Sequence, residues 1–209
     1  MSLRDRLTKA RQELSAHLQQ GIMPFWAARG VDTVHGGYLT CYDADGKLIP
    51  VLENGTSGTT KHIVTQTRLI WGFSTFHMID PDDAQYLDAA RQGVDFFIEH
   101  FWDAEHGGWH WLVERDGTLI DDGKVVYGQS FAIYALATYT LATGDPRGLE
   151  YAERTFNLLQ RYCVDTARGG YYESLEPAWQ VSAGGVCAGD RKSLDIHMHL
   201  LEAFTVLAQ

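Results

Sequence analysis

Asp195, His199 and Glu202 recur at helical spacing in LDIHMHLLEAFTVL, residues 194–207. An imidazole titrates near neutral pH, and a carboxylate three or four residues away on a helix can hold its tautomer, so this trio has the makings of proton chemistry. At about 100° per residue the three fall within roughly 60° of one another, with Val206 in the same stripe. Leu194, Ile196, Met198, Leu200, Leu201, Phe204 and Leu207 fill the rest of the circumference. That pattern predicts a helix buried nearly all round, its polar stripe turned to a cavity or a partner. His197 lies about 160° from His199, which leaves His199 as the candidate pocket histidine. The same stripe also reads as a His–Glu pair satisfying itself inside a core.

A second apolar helix, KHIVTQTRLIWGFSTFHM, carries one polar stripe of Lys61, Thr65, Arg68 and Thr75, flanked by Trp71. In VYGQSFAIYALATY, the residues Tyr127, Phe131, Tyr134 and Thr138 share a face that suits either a core or an aromatic lining. A cavity with Arg, Lys, His, Glu, Tyr and Trp fits a carbohydrate, whose hydroxyls take charged hydrogen-bond partners and whose C–H faces pack on indoles. Lys61, Trp71, Tyr127 and Asp195 are the candidate substrate-binding residues. Trp26, Trp102, Trp109, Trp111 and Trp179 read equally as packing between hairpins and helices.

The elements that would position these groups come from a repeat. HGGYLTCYDADGKL, HGGWHWLVERDGTL and RGGYYESLEPAWQV each place an aromatic residue after a Gly-Gly pair, and the pairs begin at 36, 107 and 169. The first two close on Asp45-Gly46 and Asp116-Gly117, a short hairpin turn signal, so the loops are expected to be small β-hairpins. Between them lie helical segments at 60–79 and 83–101, then 126–143 and 146–163, divided near Pro81 and Pro146. With helices at 3–20 and 191–209, the unit is helix, helix, hairpin. Repeated helix pairs predict an all-α toroid in which inner helices line a cavity and outer helices cover them. Six helices amount to about half of a twelve-helix ring, a partial (α/α)6 domain over residues 1–209.

Composition narrows the function. The 209 residues are 45% hydrophobic with a net charge of −10. No Lys/Arg cluster offers a surface for nucleic acid or an anionic membrane. No run approaches the roughly 18 apolar residues of a membrane span, and MSLRDRLTKARQELSAHLQQ is a charged amphipathic helix unlike a signal peptide, so the expected location is cytoplasmic. Cys41, Cys163 and Cys187 show no zinc or disulfide spacing and are expected to be buried free thiols. Neither a metal ligand cluster nor a phosphate-binding glycine loop is present, so no cofactor is expected and the partner is a small neutral sugar.

KHIVTQTRLIWGFS, VYGQSFAIYALATYTLATGDP, the Gly-Gly-aromatic hairpins and KSLDIHMHLLEAFTVL together resemble the N-acylglucosamine 2-epimerase family, which includes cellobiose 2-epimerases and mannose or aldose–ketose isomerases. The resemblance implies an (α/α)6 barrel and cofactor-free exchange of aldoses with their 2-epimers or ketoses through a cis-enediolate. It implies that Arg68 binds the substrate oxygen and stabilises the developing oxyanion. It matches His199 and Glu202 to the family's HxxEA pair, with His199 contacting the open-chain oxygen and Glu202 fixing its tautomer. The family's two proton-transferring histidines lie on later inner helices, beyond residue 209. Residues 1–209 alone are therefore expected to show negligible epimerase activity, and the apolar last helix to associate, with homo-oligomer formation one route.

Two other readings use the same residues. A glycoside hydrolase on this toroid would need two carboxylates across the scissile bond, for which Glu202, Asp195 and Glu173 are available. A non-enzymatic half-barrel would bind a sugar or associate with another half.

Overall fold

The computed structural model describes residues 1–184 and 188–209. Its first helix, α1 (Leu3–His17), starts at a capping box: Ser2 Oγ accepts the Asp5 N–H at 3.2 Å while Asp5 Oδ2 accepts the Ser2 N–H at 2.9 Å. A π-helical turn, Leu18–Ile22, carries the chain on into α2 (Met23–Arg29). The helical run thus passes the expected end at residue 20. Gly21 and Pro24 look like a stop, but Pro24 sits in the first turn of α2, where its missing N–H costs nothing.

Two helix pairs follow, α3 (Ile63–Ile79) with α4 (Ala84–Phe101) and α5 (Val126–Thr143) with α6 (Pro146–Tyr162), and α7 (Leu194–Leu207) ends the chain. Helices α3, α5 and α7 pack side by side as an inner layer, and α4 and α6 cover α3 and α5 from outside. Turn chemistry sets the pair boundaries: Asp83 and Asp145 cap α4 and α6 with their carboxylates, Pro146 opens α6, and Gly144 closes α5 at φ 72°. Among the described residues no helix is long and apolar enough to cross a membrane.

Burial on α5 is nearly all round, whereas on α7 only Ile196, Leu200 and Ala203 are buried. Leu194, Met198 and Leu201 are 84%, 43% and 69% exposed, which corrects the expectation of an all-round buried last helix. Among the described residues, the face that meets the next inner helix on α3 and α5 has no such neighbour on α7.

The expected hairpins are short. Strands β2 (Leu112–Val113) and β3 (Leu119–Asp121) form one around Asp116-Gly117, and β1 (Lys61–His62) adds to β2. Strand β4 (Lys124–Val125) pairs with β5 (Ser174–Leu175). Single bridges Tyr42–Leu48 and Leu175–Val181 close the first and third loops. Cys163 is buried, which pushes its thiol up to about 12, Cys41 is half-buried, and Cys187 lies outside the described residues.

Each loop is tied to an inner helix by one repeated staple. Asp32, Asp103 and Asp165 accept the N–H groups two and three residues on through Oδ1. Each also receives a lysine that just precedes an inner helix: Lys61 at 3.2 Å, Lys124 at 2.7 Å and Lys192 at 2.9 Å. Five residues after the first two lysines, Gln66 and Gln129 clamp both the N–H and the C=O of the aromatic residue behind the glycines, Tyr38 and Trp109, at 2.8–3.0 Å. His197 replaces glutamine in the third staple: its Nε2 accepts the Tyr171 N–H at 3.0 Å and its Nδ1 meets Ser193 O at 2.7 Å. The second glycine of each pair is fixed by this approach. At Gly37, with φ 63°, an added Cβ would lie 2.7 Å from the Phe96 ring and 2.8 Å from Gln66 Oε1.

Candidate functional site

The staples bring three equivalent helix positions to one place. Seven residues after the lysines stand Arg68, Phe131 and His199, and ten residues after them stand Trp71, Tyr134 and Glu202. These six side chains line a single cleft of about 230 Å³ between α3, α5 and α7. Closed pockets for drug-sized ligands run to roughly 300–1,000 Å³, so the cleft is smaller than a pocket of that kind.

Its floor is aromatic. Trp71 and Tyr134 stack with ring centroids 5.8 Å apart at 18°, leaving Trp71 36% exposed. The Arg68 guanidinium lies 4.5 Å above the Phe131 ring, a cation–π contact that orients it, and among the described residues its N–H groups have no hydrogen-bond partner. Among the described residues no carboxylate comes within 4 Å of Arg68.

His199 is 13% exposed and wedged between the Tyr127 ring at 5.0 Å and the Phe131 ring at 4.7 Å. Its Nδ1 lies 2.8 Å from Glu202 Oε2. An ionised carboxylate only accepts, so Nδ1 carries the proton in the neutral ring and Nε2 keeps its lone pair. The nearest acid to Nε2 is Asp195 Oδ1 at 3.7 Å, too far for a hydrogen bond, so Nε2 can engage a ligand oxygen.

The structure therefore brings together Arg68, Trp71, His199 and Glu202. Tyr127 does not line the cleft but packs behind it against His199 and Phe131, and Asp195, 66% exposed, lies outside the lining beside His199. Lys61 is a correction. Its Nζ is fully buried, donates to Gly36 O and Arg115 O, and pairs with Asp32, so it belongs to the staple and not to the cleft. The helical angle that placed it beside Arg68 does not apply, because His62 is extended (φ −100°, ψ 136°) and the helix starts at Ile63.

Phe131 and Tyr134 are lining residues whose signal is the repeat register. Glu173, offered above as a hydrolytic carboxylate, is buried and accepts the Ser193 N–H at the N-cap of α7, so it does not face the cleft. His62 caps α3 through Nδ1, and burial holds its imidazole below the usual histidine range.

Residues 36–209 match the N-acylglucosamine 2-epimerase (GlcNAc 2-epimerase) family. A cellobiose 2-epimerase of Bacteroides fragilis is 31% identical over 201 residues, covering 94% of this chain and 49% of that protein. A D-mannose isomerase of Thermobifida fusca is 28% identical over 160 residues, covering 77% and 36%. The solved cellobiose 2-epimerase of Spirochaeta thermophila superposes with a TM-score of 0.83 at 35% identity, over 99% of this chain and 50% of that one. The chain spans about half the length of these cellobiose 2-epimerases, and its helix pairs form about half of an (α/α)6 toroid.

Proposed function

We propose, from the premise that the chain belongs to the N-acylglucosamine 2-epimerase family, that the cleft holds the aldehyde end of an opened sugar and serves 2-epimerisation or aldose–ketose isomerisation of a mannose- or glucose-type sugar or a β-linked disaccharide. One observation supports this above others: an acid-free guanidinium, a histidine with its tautomer set by a carboxylate, and a stacked indole line one cleft from three successive inner helices.

In the proposed reaction a base takes the proton from C2 of the open-chain aldose, and the C–H electron pair becomes the C1–C2 double bond of a cis-enediolate with its charge on O1. Return of a proton to the opposite face of C2 gives the 2-epimer. Return to C1, with the O2 proton passed to O1, gives the ketose. Arg68 would donate to O1 as its charge grows, and His199 Nε2 would take a hydrogen bond from a sugar hydroxyl while the Trp71 ring packs against C–H groups. His199 is kept as the group that contacts the open-chain oxygen, as the resemblance implies, with Glu202 on its Nδ1. We assign the base and the acid to the two histidines that the resemblance places on later inner helices, so this chain supplies the oxyanion side of the site.

The test is 5-fluorotryptophan labelling, with the Trp71 signal assigned from Trp71→Phe, and titration with cellobiose, mannose and glucose. At least one sugar should shift the Trp71 resonance saturably, and Arg68→Ala should weaken that shift while leaving the melting temperature close to wild type. Absence of any shift, or an equal shift in Arg68→Ala, refutes the assignment. Deuterium incorporation at sugar C2 in heavy water is expected to be negligible with this chain alone, and rapid incorporation would show a competent base within residues 1–209.

A further inference from the structure

On the outer wall the first two Gly-Gly loops each meet the outer helix of the following pair in a groove. In the first, Gly36 faces α4, and its ideal Cβ would lie 3.1 Å from Phe96. In the second, Gly107 faces α6, and its ideal Cβ would lie 3.0 Å from Leu158. Counting back from staple residues Asp103 and Asp165, Gln92, Asp95 and Glu99 correspond to Arg154, Asn157 and Arg161. The same three positions thus carry two acids and no base in one groove, and two arginines and no acid in the next. The first groove has its neighbouring outer helix α6 in place, as the Asp95–Arg147 ion pair at 2.8 Å shows, so the shape is a property of the repeat.

The arginines of the second groove are held by rings more than by acids. Arg154 lies 4.4 Å above the Trp102 ring and 4.8 Å from the Tyr151 ring, and Arg161 lies 5.0 Å from the Tyr162 ring. Glu150 approaches Arg154 at 3.5 Å, but both side chains are largely exposed and such a pair is weak. Among the described residues Arg161 has no acidic partner within 4 Å. The two arginines stand seven residues apart, about 10 Å along the helix axis, so both stems can converge on one group above Asn157. The groove volume is about 300 Å³. Aromatic stacking leaves the edges of guanidinium planes open, the geometry for a bidentate contact with phosphate or carboxylate oxygens.

We infer that the Trp102–Arg154–Arg161 groove is a second ligand site, separate from the inner cleft, that binds a phosphorylated monosaccharide through its phosphate. The two arginine forks take the phosphate oxygens, Asn157 takes a sugar hydroxyl, and the groove accepts a ligand of monosaccharide size. On a chain of net charge −10 it places two arginines where the equivalent positions one repeat earlier hold Gln92 and Glu99.

Calorimetric titration with glucose 6-phosphate, glucose and inorganic phosphate tests this site. Glucose 6-phosphate should bind saturably, more tightly than inorganic phosphate, and glucose should not compete. Arg161→Glu changes an exposed side chain and should weaken glucose 6-phosphate by at least about tenfold, the equivalent of losing one hydrogen bond to a charged group. Arg68→Ala should leave this binding unchanged. Absence of saturable binding, wild-type affinity in Arg161→Glu, or loss in Arg68→Ala overturns the site. Inorganic phosphate binding as tightly as glucose 6-phosphate overturns its assignment to a sugar phosphate.

Discussion

Replacing Lys124 by methionine tests whether the staples hold the inner helices in register. The lysine is fully buried, and its Nζ donates to Asp103 Oδ2 at 2.7 Å. Methionine refills the aliphatic volume but leaves a buried carboxylate whose Oδ1 still accepts the Glu105 and His106 N–H groups while Oδ2 has lost its donor. Breaking a buried pair from one side costs about 3–5 kcal/mol, a large part of the 5–15 kcal/mol typical of a folded domain. Lys61→Met should cost less on the acid side, because Arg115 still grips Asp32 through two hydrogen bonds of 2.9 Å, although the Gly36 and Arg115 carbonyls lose their donor. Lys192→Met should cost least, since Lys192 is 24% exposed and Arg168 also binds Asp165 at 3.1 Å. Urea unfolding followed by circular dichroism at pH 7 should therefore rank Lys124, then Lys61, then Lys192, with m-values unchanged. A Lys124→Met loss below about 1 kcal/mol, the size of a surface pair, would refute the staple argument. So would an equal loss at Lys192.

Other outcomes follow from the same geometry. His199→Asn should weaken the sugar-induced Trp71 shift, and Glu202→Gln should do so more mildly by losing the carboxylate that sets the tautomer. Two thermally weakened variants with wild-type sugar response would instead mark the pair as core. Hydrogen bonds from Arg147, chiefly those of its side chain, hold Asp145 at about 2, below the usual carboxylate value, outweighing the opposite effect of burial. Its contribution is full above the unfolded pKa of about 3.9 and is lost as pH falls towards 2. Melting temperatures between pH 5 and 2 should show it, with Asp145→Asn, which keeps a capping side chain, flattening that acid limb. On α7, Leu194 and Leu201 occupy the register of Ile63/Val126 and Ile70/Ile133, all fully buried. The opposite joint face on α3 leaves open space at Gly72. We expect a second copy to dock α3 against α7, giving a dimer in equilibrium sedimentation that Leu201→Glu dissociates, and a stable wild-type monomer would contradict this.

Helix faces were legible because a 3.6-residue period is a local property. Arg68, Trp71, His199 and Glu202 could be grouped from two short stretches, and the structure brings them into one cleft. The staples were not legible in the same way. Their partners lie 21 to 29 residues apart across loops, as with Asp103–Lys124 and Asp32–Lys61, and no helical angle relates them. Lys61 was misplaced for that reason: it shares an angle with Arg68 only if the helix is drawn two residues past its true start. A signal was nevertheless present, since an aspartate stands four residues before each Gly-Gly pair at 32, 103 and 165. Laid over one another, the repeats separate two kinds of position. Those that keep their residue type, Asp, Gly-Gly and Lys, hold the frame, and the Gln66/Gln129/His197 clamp keeps its contact to the backbone N–H while changing residue in the third repeat. Those that change charge and shape, Arg68/Phe131/His199 and Trp71/Tyr134/Glu202, line the inner cleft, and the outer groove follows the same rule with Gln92/Arg154 and Glu99/Arg161. The chemistry proposed for this chain sits where one repeated frame stops agreeing with itself, because a fixed backbone lets a side chain vary without loss of the fold.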